Sequence, residues 1–255
     1  MNLERYIRQT SLAETGREKQ IKLRQSHALL VGIGGIGGTA ALYLTAGGIG
    51  KITIVDNDTV ALHNLQRQIL YRTSQTGQSK IDCARELLEQ LNPDVEFNFI
   101  NTRFTPENAL SIIQGCDIIV DGSDNPALRY LLNDLSVGLD IPYVFGSIYH
   151  FYGQVSVFNS KPDSATYRCL YPQEEDALEH FKTFRPGEFG CLPGIIATLE
   201  VNETVKTLCG FGENLQNRLL TVDLLAPSFK TYSIIPSAQE RCRALENYNR
   251  LKTQV

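Results

Sequence analysis

Val31-Gly32-Ile33-Gly34-Gly35-Ile36-Gly37-Gly38 lies between a short apolar run, 27–31, and a stretch of small and apolar residues, 36–46. That order predicts strand, tight turn and helix, the context in which a glycine turn receives a phosphate. Glycines let the backbone approach a phosphate that a β-carbon would hold away. The helix N-terminus adds unpaired N–H donors and a partial positive charge. Residues 51–55 are β-branched and lead into Asp56, which predicts a second, parallel strand with a carboxylate placed to meet a ribose. The turn by itself suits NAD, FAD or ATP, and a glycine turn kept only for packing is the bland alternative.

Outward from this unit the pattern repeats. Residues 79–91 have helical periodicity and stop at Asn92-Pro93, because the residue before proline is pushed out of the α region. A strand is predicted over 95–100, and a helix over 106–114 opened by Thr105 and Pro106. A buried strand follows over 117–120, then a turn over 121–126, a helix over 127–139, and strands over 143–145 and 153–158. Strands alternating with helices predict a Rossmann-like α/β fold, a mostly parallel sheet with helices on both faces and ligands at the carboxyl ends of the strands. Beyond it, 159–190 reads as a long loop with an acidic run at 173–176. Residues 195–208 read as a helix, and 219–225 and 229–235 as strands that extend the sheet antiparallel. The expectation is one domain over 1–255: an arm and helix (1–25), a nucleotide-binding core (26–158), a crossover loop (159–190), and a C-terminal helix and strands (191–255).

Apolar residues make up 42% of the 255 and charged residues 20%, an ordinary globular balance that excludes wholesale disorder. Twenty-four basic against 28 acidic side chains give a net charge of −4, which argues against a nucleic-acid-binding surface as the main business. Six cysteines are too few for a disulfide scaffold, and charges at Glu4, Arg5 and Arg8 interrupt any apolar leader, so a reduced, cytoplasmic protein is expected. Residues 25–50 carry no charged side chain over a length that could cross a bilayer. Eight glycines among them predict turns instead, and no membrane segment.

The segment after Asp56 narrows the choice of nucleotide. It is polar, carries Arg67, and is followed 13 positions later by Lys80 at a predicted helix start. Two cations near the glycine turn suit a group more anionic than a pyrophosphate, such as a triphosphate with charge building on its leaving half. Sheet geometry brings Asp124 to the same edge, where a carboxylate can hold Mg2+ together with phosphate oxygens. The structural alternatives are that Arg67 and Lys80 are solvated surface charges and that Asp124 takes part in capping a helix. Of the four histidines only His63 neighbours the presumed site. A nicotinamide-dependent oxidoreductase on the same fold is the competing enzyme class.

Taken together, Arg5-Tyr6-Ile7-Arg8-Gln9, the glycine turn, Asp56-x-Asp58, Asn64-Leu-Gln-Arg-Gln68, Gly77-x-x-Lys80, Asn92-Pro93 and Asp121-x-x-Asp124-Asn125 resemble the ThiF/MoeB-type adenylyltransferases, relatives of the ubiquitin-activating enzymes. The likeness runs from about Arg5 to Lys206. It implies ATP- and Mg2+-dependent adenylation of the C-terminal Gly-Gly carboxylate of a small ubiquitin-like sulfur-carrier protein, followed by attack of a sulfur donor. It also implies a homodimer in which Arg8 reaches into the neighbouring site. Carried over, Arg8, Arg67, Lys80 and Asp124 are the catalytic candidates, with Asp124 on Mg2+. Gly32, Gly34, Gly35, Gly37, Asp56, Asp58, Asn64, Gln68 and Asn125 are the nucleotide-binding candidates. A scaffold that docks a carrier without activating it is the non-catalytic alternative.

The chain departs from that pattern twice. Where many relatives hold zinc with two CxxC pairs, it has Thr166-Tyr-Arg-Cys169 and, near the C-terminus, Cys242 alone. Two thiolates fall short of the four ligands of a structural zinc site, so none is expected and the C-terminal region should rest on apolar packing alone. The usual crossover-loop cysteine is replaced by Thr183, and Cys191 stands directly before Leu192, where a buried structural thiol is expected, the alternative being a thiol that swings over to substitute for the missing one. Cys83, Cys116 and Cys209 are assigned to packing.

Overall fold

Eight strands line up in one sheet in the order β3-β2-β1-β4-β5-β6-β7-β8. They are β1 (His27–Val31), β2 (Lys51–Asp56), β3 (Glu96–Asn101), β4 (Ile118–Asp121), β5 (Tyr143–Tyr149), β6 (Tyr152–Phe158), β7 (Arg218–Asp223) and β8 (Ser228–Ser233). The computed structural model describes residues 3–183 and 187–254. Strands β1 to β5 pair in parallel, with Leu29 opposite both Thr53 and Ile119. From β5 onward the pairing is antiparallel, through the β5–β6 hairpin to β8.

The helices are α1 (Ile7–Thr10), α2 (Gly16–Arg24), α3 (Gly35–Gly47), α4 (Lys80–Leu91), α5 (Pro106–Ile112), α6 (Pro126–Leu139), α7 (Tyr167–Leu170), α8 (Glu174–Thr183), α9 (Leu192–Cys209) and α10 (Ala238–Gln254). Central strands are buried on both faces, which is why they read as unbroken apolar runs rather than as alternation. Successive residues of β1 feed two separate cores. Ala28 and Leu30 join α3, α4 and α9 on one face, whereas Leu29 and Val31 join α5, α6 and α10 on the other.

Three expectations need correcting. The segment 159–190 is not a structureless loop: it holds α7 and α8, and His180 belongs to α8; residues 184–186 lie outside the described residues. The acidic run at 173–176 is the beginning of α8, where carboxylates favour the positive end of the helix dipole. The chain closes on a helix, α10, that the sequence reading did not contain. Finally, α10 is not held by apolar packing alone. Ala244 and Tyr248 are buried, but Arg241 Nη2 also donates to Asn159 Oδ1 at 2.7 Å and Asn247 Nδ2 to Asp134 Oδ2 at 3.0 Å.

Candidate functional site

The glycine turn leaves β1 at Gly32, whose φ of +87° only glycine takes without strain. Backbone crowds backbone here. A β-carbon on Gly37 would fall 2.0 Å from the Gly32 carbonyl oxygen, and one on Gly122 would fall 2.2 Å from the same atom. Gly32 and Gly37 therefore serve the closure of the β1 turn against the β4 turn. Gly34 and Gly35 do not: the positions their β-carbons would take face Gln68 at 3.4 Å, and Pro193 and Arg67 at 3.0 and 3.5 Å. The N-cap of α3 is Gly34, which has no side chain, and among the described residues no side chain caps this helix, so the N–H groups of its first turn, which have no intrahelical partner, are left open.

Asp56 fixes this turn from below. It accepts from Ile33 N–H at 2.8 Å and from Asp58 N–H at 2.7 Å. Tyr71 is buried, which pushes its phenol far above its ordinary range; it stays a donor, to the Ile33 carbonyl at 2.7 Å.

Lys80 and Arg67 are not solvated surface charges. Lys80 opens α4 behind Ser79, which accepts from Asp82 N–H. Its side chain is 4% exposed, with the amine 2.9 Å from Asp58 Oδ2 at the rim. Arg67 Nη2 donates to Asn64 Oδ1 at 3.3 Å, and its Nε lies 2.5 Å from Glu188 Oε2. Gln68 is buried beside Gly34, and among the described residues its Oε1 has no hydrogen-bond partner. An orphaned buried acceptor next to an uncapped helix end fits a site built for a polar ligand.

The helix-capping role at the β4 turn falls to Asn125, whose Oδ1 accepts from Ala127 N–H at 2.9 Å. That leaves Asp124 exposed, with no hydrogen bond or ion pair from its carboxylate among the described residues. A carboxylate so disposed fits Mg2+, which takes one or two carboxylates together with phosphate oxygens. Beneath it Asp121 is buried, accepting from Ser123, from Tyr143 Oη at 2.6 Å and from Arg129 Nε at 3.2 Å. Arg129 Nη2 also donates to the Ser123 and Gly146 carbonyls, clasping the β4 turn to β5. Arg129 and Glu188 are the residues that the sequence reading missed. Arg129 follows Asn125 by one helical turn, a spacing that could have flagged it. Glu188 gave no local signal.

Arg8 is not brought to this cluster. It is exposed on α1, and its neighbour Gln9 donates to the Gly47 carbonyl at the far end of α3. At about 1.5 Å per residue that end is roughly 18 Å from the glycine turn. His63 is exposed in the turn before Asn64.

The thiols correct one expectation and answer another. Cys191 is exposed, not buried. It immediately precedes α9, whose first residue, Leu192, turns fully into the core, leaving the thiol on the outer side of the junction. Cys83, Cys116 and Cys209 are buried in packing. Cys169 Sγ takes hydrogen bonds from Thr166 and from Ser237 N–H at 3.3 Å, while Cys242 is exposed, a donor set that does not fit zinc.

A glycine helix start at the carboxyl edge of a parallel sheet, an acid ending the next strand, and buried Lys80 and half-buried Arg67 nearby are the features of an α/β protein of the doubly wound class. The chain belongs to the ThiF family, whose model matches residues 6–244. It is 39% identical over 236 residues to the sulfur carrier protein adenylyltransferase of Thermus thermophilus, covering 91% of this chain and 87% of that protein. It is 40% identical over 232 residues to the adenylyltransferase and sulfurtransferase MOCS3 of Culex quinquefasciatus, where it spans 91% of its own length but about half, 53%, of the relative. Among solved structures, E. coli MccB with ATP superposes with a TM-score of 0.82 at 22% identity, over 93% of this chain and 73% of that one, a likeness of fold. No helix among the described residues is long and apolar enough to cross a membrane.

Proposed function

We propose that this chain is a single adenylation domain that uses ATP to activate the C-terminal Gly-Gly carboxylate of a small ubiquitin-like sulfur-carrier protein, releasing pyrophosphate, ahead of attack by a sulfur donor. The observation that carries the reading is the meeting of the uncapped α3 start with Arg67, buried Lys80 and Asp124, which has no partner among the described residues, at one edge of the sheet. Family membership and the named activity of the Thermus thermophilus relative support it.

A carboxylate is already ionised at neutral pH, so it needs no general base to attack the α-phosphorus. What the site must supply is alignment and neutralisation of charge growing on the pyrophosphate. Gly34, Gly35 and the α3 N–H groups line the phosphates, Asn64 and Gln68 flank them, and Asp56 with Asp58 takes the ribose side. Arg67 and Lys80 offset the charge. Asn125 belongs to this set through the turn it caps rather than by direct contact, and Gly32 and Gly37 through the packing that shapes the turn. Mg2+, held by Asp124, would add its own positive charge to the same oxygens. Arg8 lies too far along α3 to serve its own site, and the reading gives it to the site of a second copy in a homodimer. Zinc has no part in the proposal. A reduced, cytoplasmic setting is part of the same reading.

The test is ATP–pyrophosphate exchange with a Gly-Gly-ended carrier. Asp124→Ala should abolish exchange and Arg8→Ala impair it severely. Mixing the two variants should restore about a quarter of wild-type exchange, because half of the dimers then hold one intact site. No recovery on mixing removes the shared site. No exchange with any carrier leaves a docking scaffold, and thermal stabilisation by NAD but not by ATP with Mg2+ leaves an oxidoreductase.

A further inference from the structure

Resting on the assignment of Arg67 to the phosphates, we propose that Glu188 is an internal counter-anion of this site: its carboxylate holds the Arg67 guanidinium until a polyphosphate takes it, and so sets nucleotide affinity. The ion pair is close, 2.5 Å between Arg67 Nε and Glu188 Oε2, and both side chains are largely withdrawn from water.

Glu188 is presented by a fixed piece of backbone. It pairs with His150 in a parallel bridge, and Phe189 N–H donates to the His150 carbonyl at 3.0 Å. The Phe189 ring packs on Phe151 with centroids 5.0 Å apart, and Leu192 N–H returns to the Phe189 carbonyl at 3.0 Å. Gly190 lies so close to Gln66 that a β-carbon there would fall 2.7 Å from the Gln66 carbonyl oxygen. The carboxylate is thus held at Arg67 from both sides of the chain.

Arg67 does not depend on Glu188 for its direction. Asn64 Oδ1 accepts from its Nη2, and its stem lies along Gly35. Glu188 therefore adds charge cancellation more than aim. Burial and the nearby Asp124 charge push the Glu188 carboxyl above its usual range, with only Arg67 opposing them. When the guanidinium turns to phosphate, Glu188 is left half-buried without its paired cation. That loss opposes nucleotide binding.

The measurement is calorimetric titration of ATP with Mg2+, without carrier, into wild type, Glu188→Gln, Glu188→Ala and Glu188→Asp. The Gln and Ala variants should bind about three- to tenfold more tightly, the range expected for a partly screened pair, and the Asp variant should stay near wild type. Unchanged affinity in Gln and Ala overturns the proposal. Weaker binding overturns it too and makes Glu188 a positioning residue for Arg67. Arg67→Ala separates the two levels: it should weaken ATP binding and erase the Glu188→Gln gain. If it binds ATP like wild type, the fault lies in the assignment of Arg67.

Discussion

Cys191 presents its thiol to solvent directly ahead of α9, whereas Cys83, Cys116 and Cys209 are enclosed. Enclosure matters chemically, because the thiolate is the reactive form. Burial pushes the Cys116 thiol up to about 12 and raises Cys83 and Cys209 as well. Ellman's reagent should accordingly titrate Cys191 and Cys242 quickly in the native protein, the enclosed three only on unfolding, and Cys191→Ala should remove one fast equivalent. Adenylation needs no thiol, so that variant should keep its pyrophosphate exchange; loss of exchange at an unchanged melting temperature would give the thiol a part in it. The buried expectation failed because a residue type says little about which side of a helix start it faces. Arg67, Lys80 and Asp124 could be picked out one by one as candidates, because strand–helix alternation carries their charges to the edge where the glycine turn lies, although a solvated charge or a helix cap would read the same way. Glu188 could not: its meaning lies in a partner 121 positions away.

At the scale of elements, the β1–α3 turn divides its glycines by job. Gly32, Gly37 and Gly122 exclude a β-carbon because carbonyl groups already stand there, and Gly34 has room. Gly122→Ala should cost about 3 kcal/mol in urea unfolding, the upper end of overpacking where backbone must move. Gly34→Ala should cost less than about 1 kcal/mol yet weaken ATP binding, since its β-carbon would enter the phosphate approach. Equal destabilisation by both would make the whole turn a packing device. Strand–helix alternation made β1 to β5 readable, because central strands buried on both faces, the alternating edge strand β3, and helices opened by Ser79, Thr105 and Pro126 carry strong local marks. Helix α10 carried a weak one. Its buried positions, Ala244 and Tyr248, form a narrow stripe within a mostly polar segment, and the partner that completes it, α6, lies more than a hundred residues earlier. Helix α8 was hidden in the same way, its acidic start resembling a solvated loop.

Across the whole molecule, stability carries a pH signature from one side chain. Glu200, on α9, is fully buried, and among the described residues neither carboxyl oxygen has a hydrogen-bond partner. Burial, helped by Asp121 and opposed by Arg129, raises its folded pKa well above the usual value. The folded chain therefore keeps a proton that the unfolded chain releases from about pH 4.3 upward, and stability falls with rising pH until the folded group titrates. Glu200→Gln should melt higher than wild type by a margin that is wider at pH 8 than at pH 5; a constant margin would mean that the carboxyl has found a partner. Asp121 is the opposite case, ringed by donors from Ser123, Tyr143 and Arg129. Burial favours the protonated form of Glu200, and Arg129 pairs with Asp121, so little net charge is left under the β4 turn. A bound anion then feels mainly the α3 helix start and the cations beside it, and selectivity for ligands can be retuned there without disturbing the foundation.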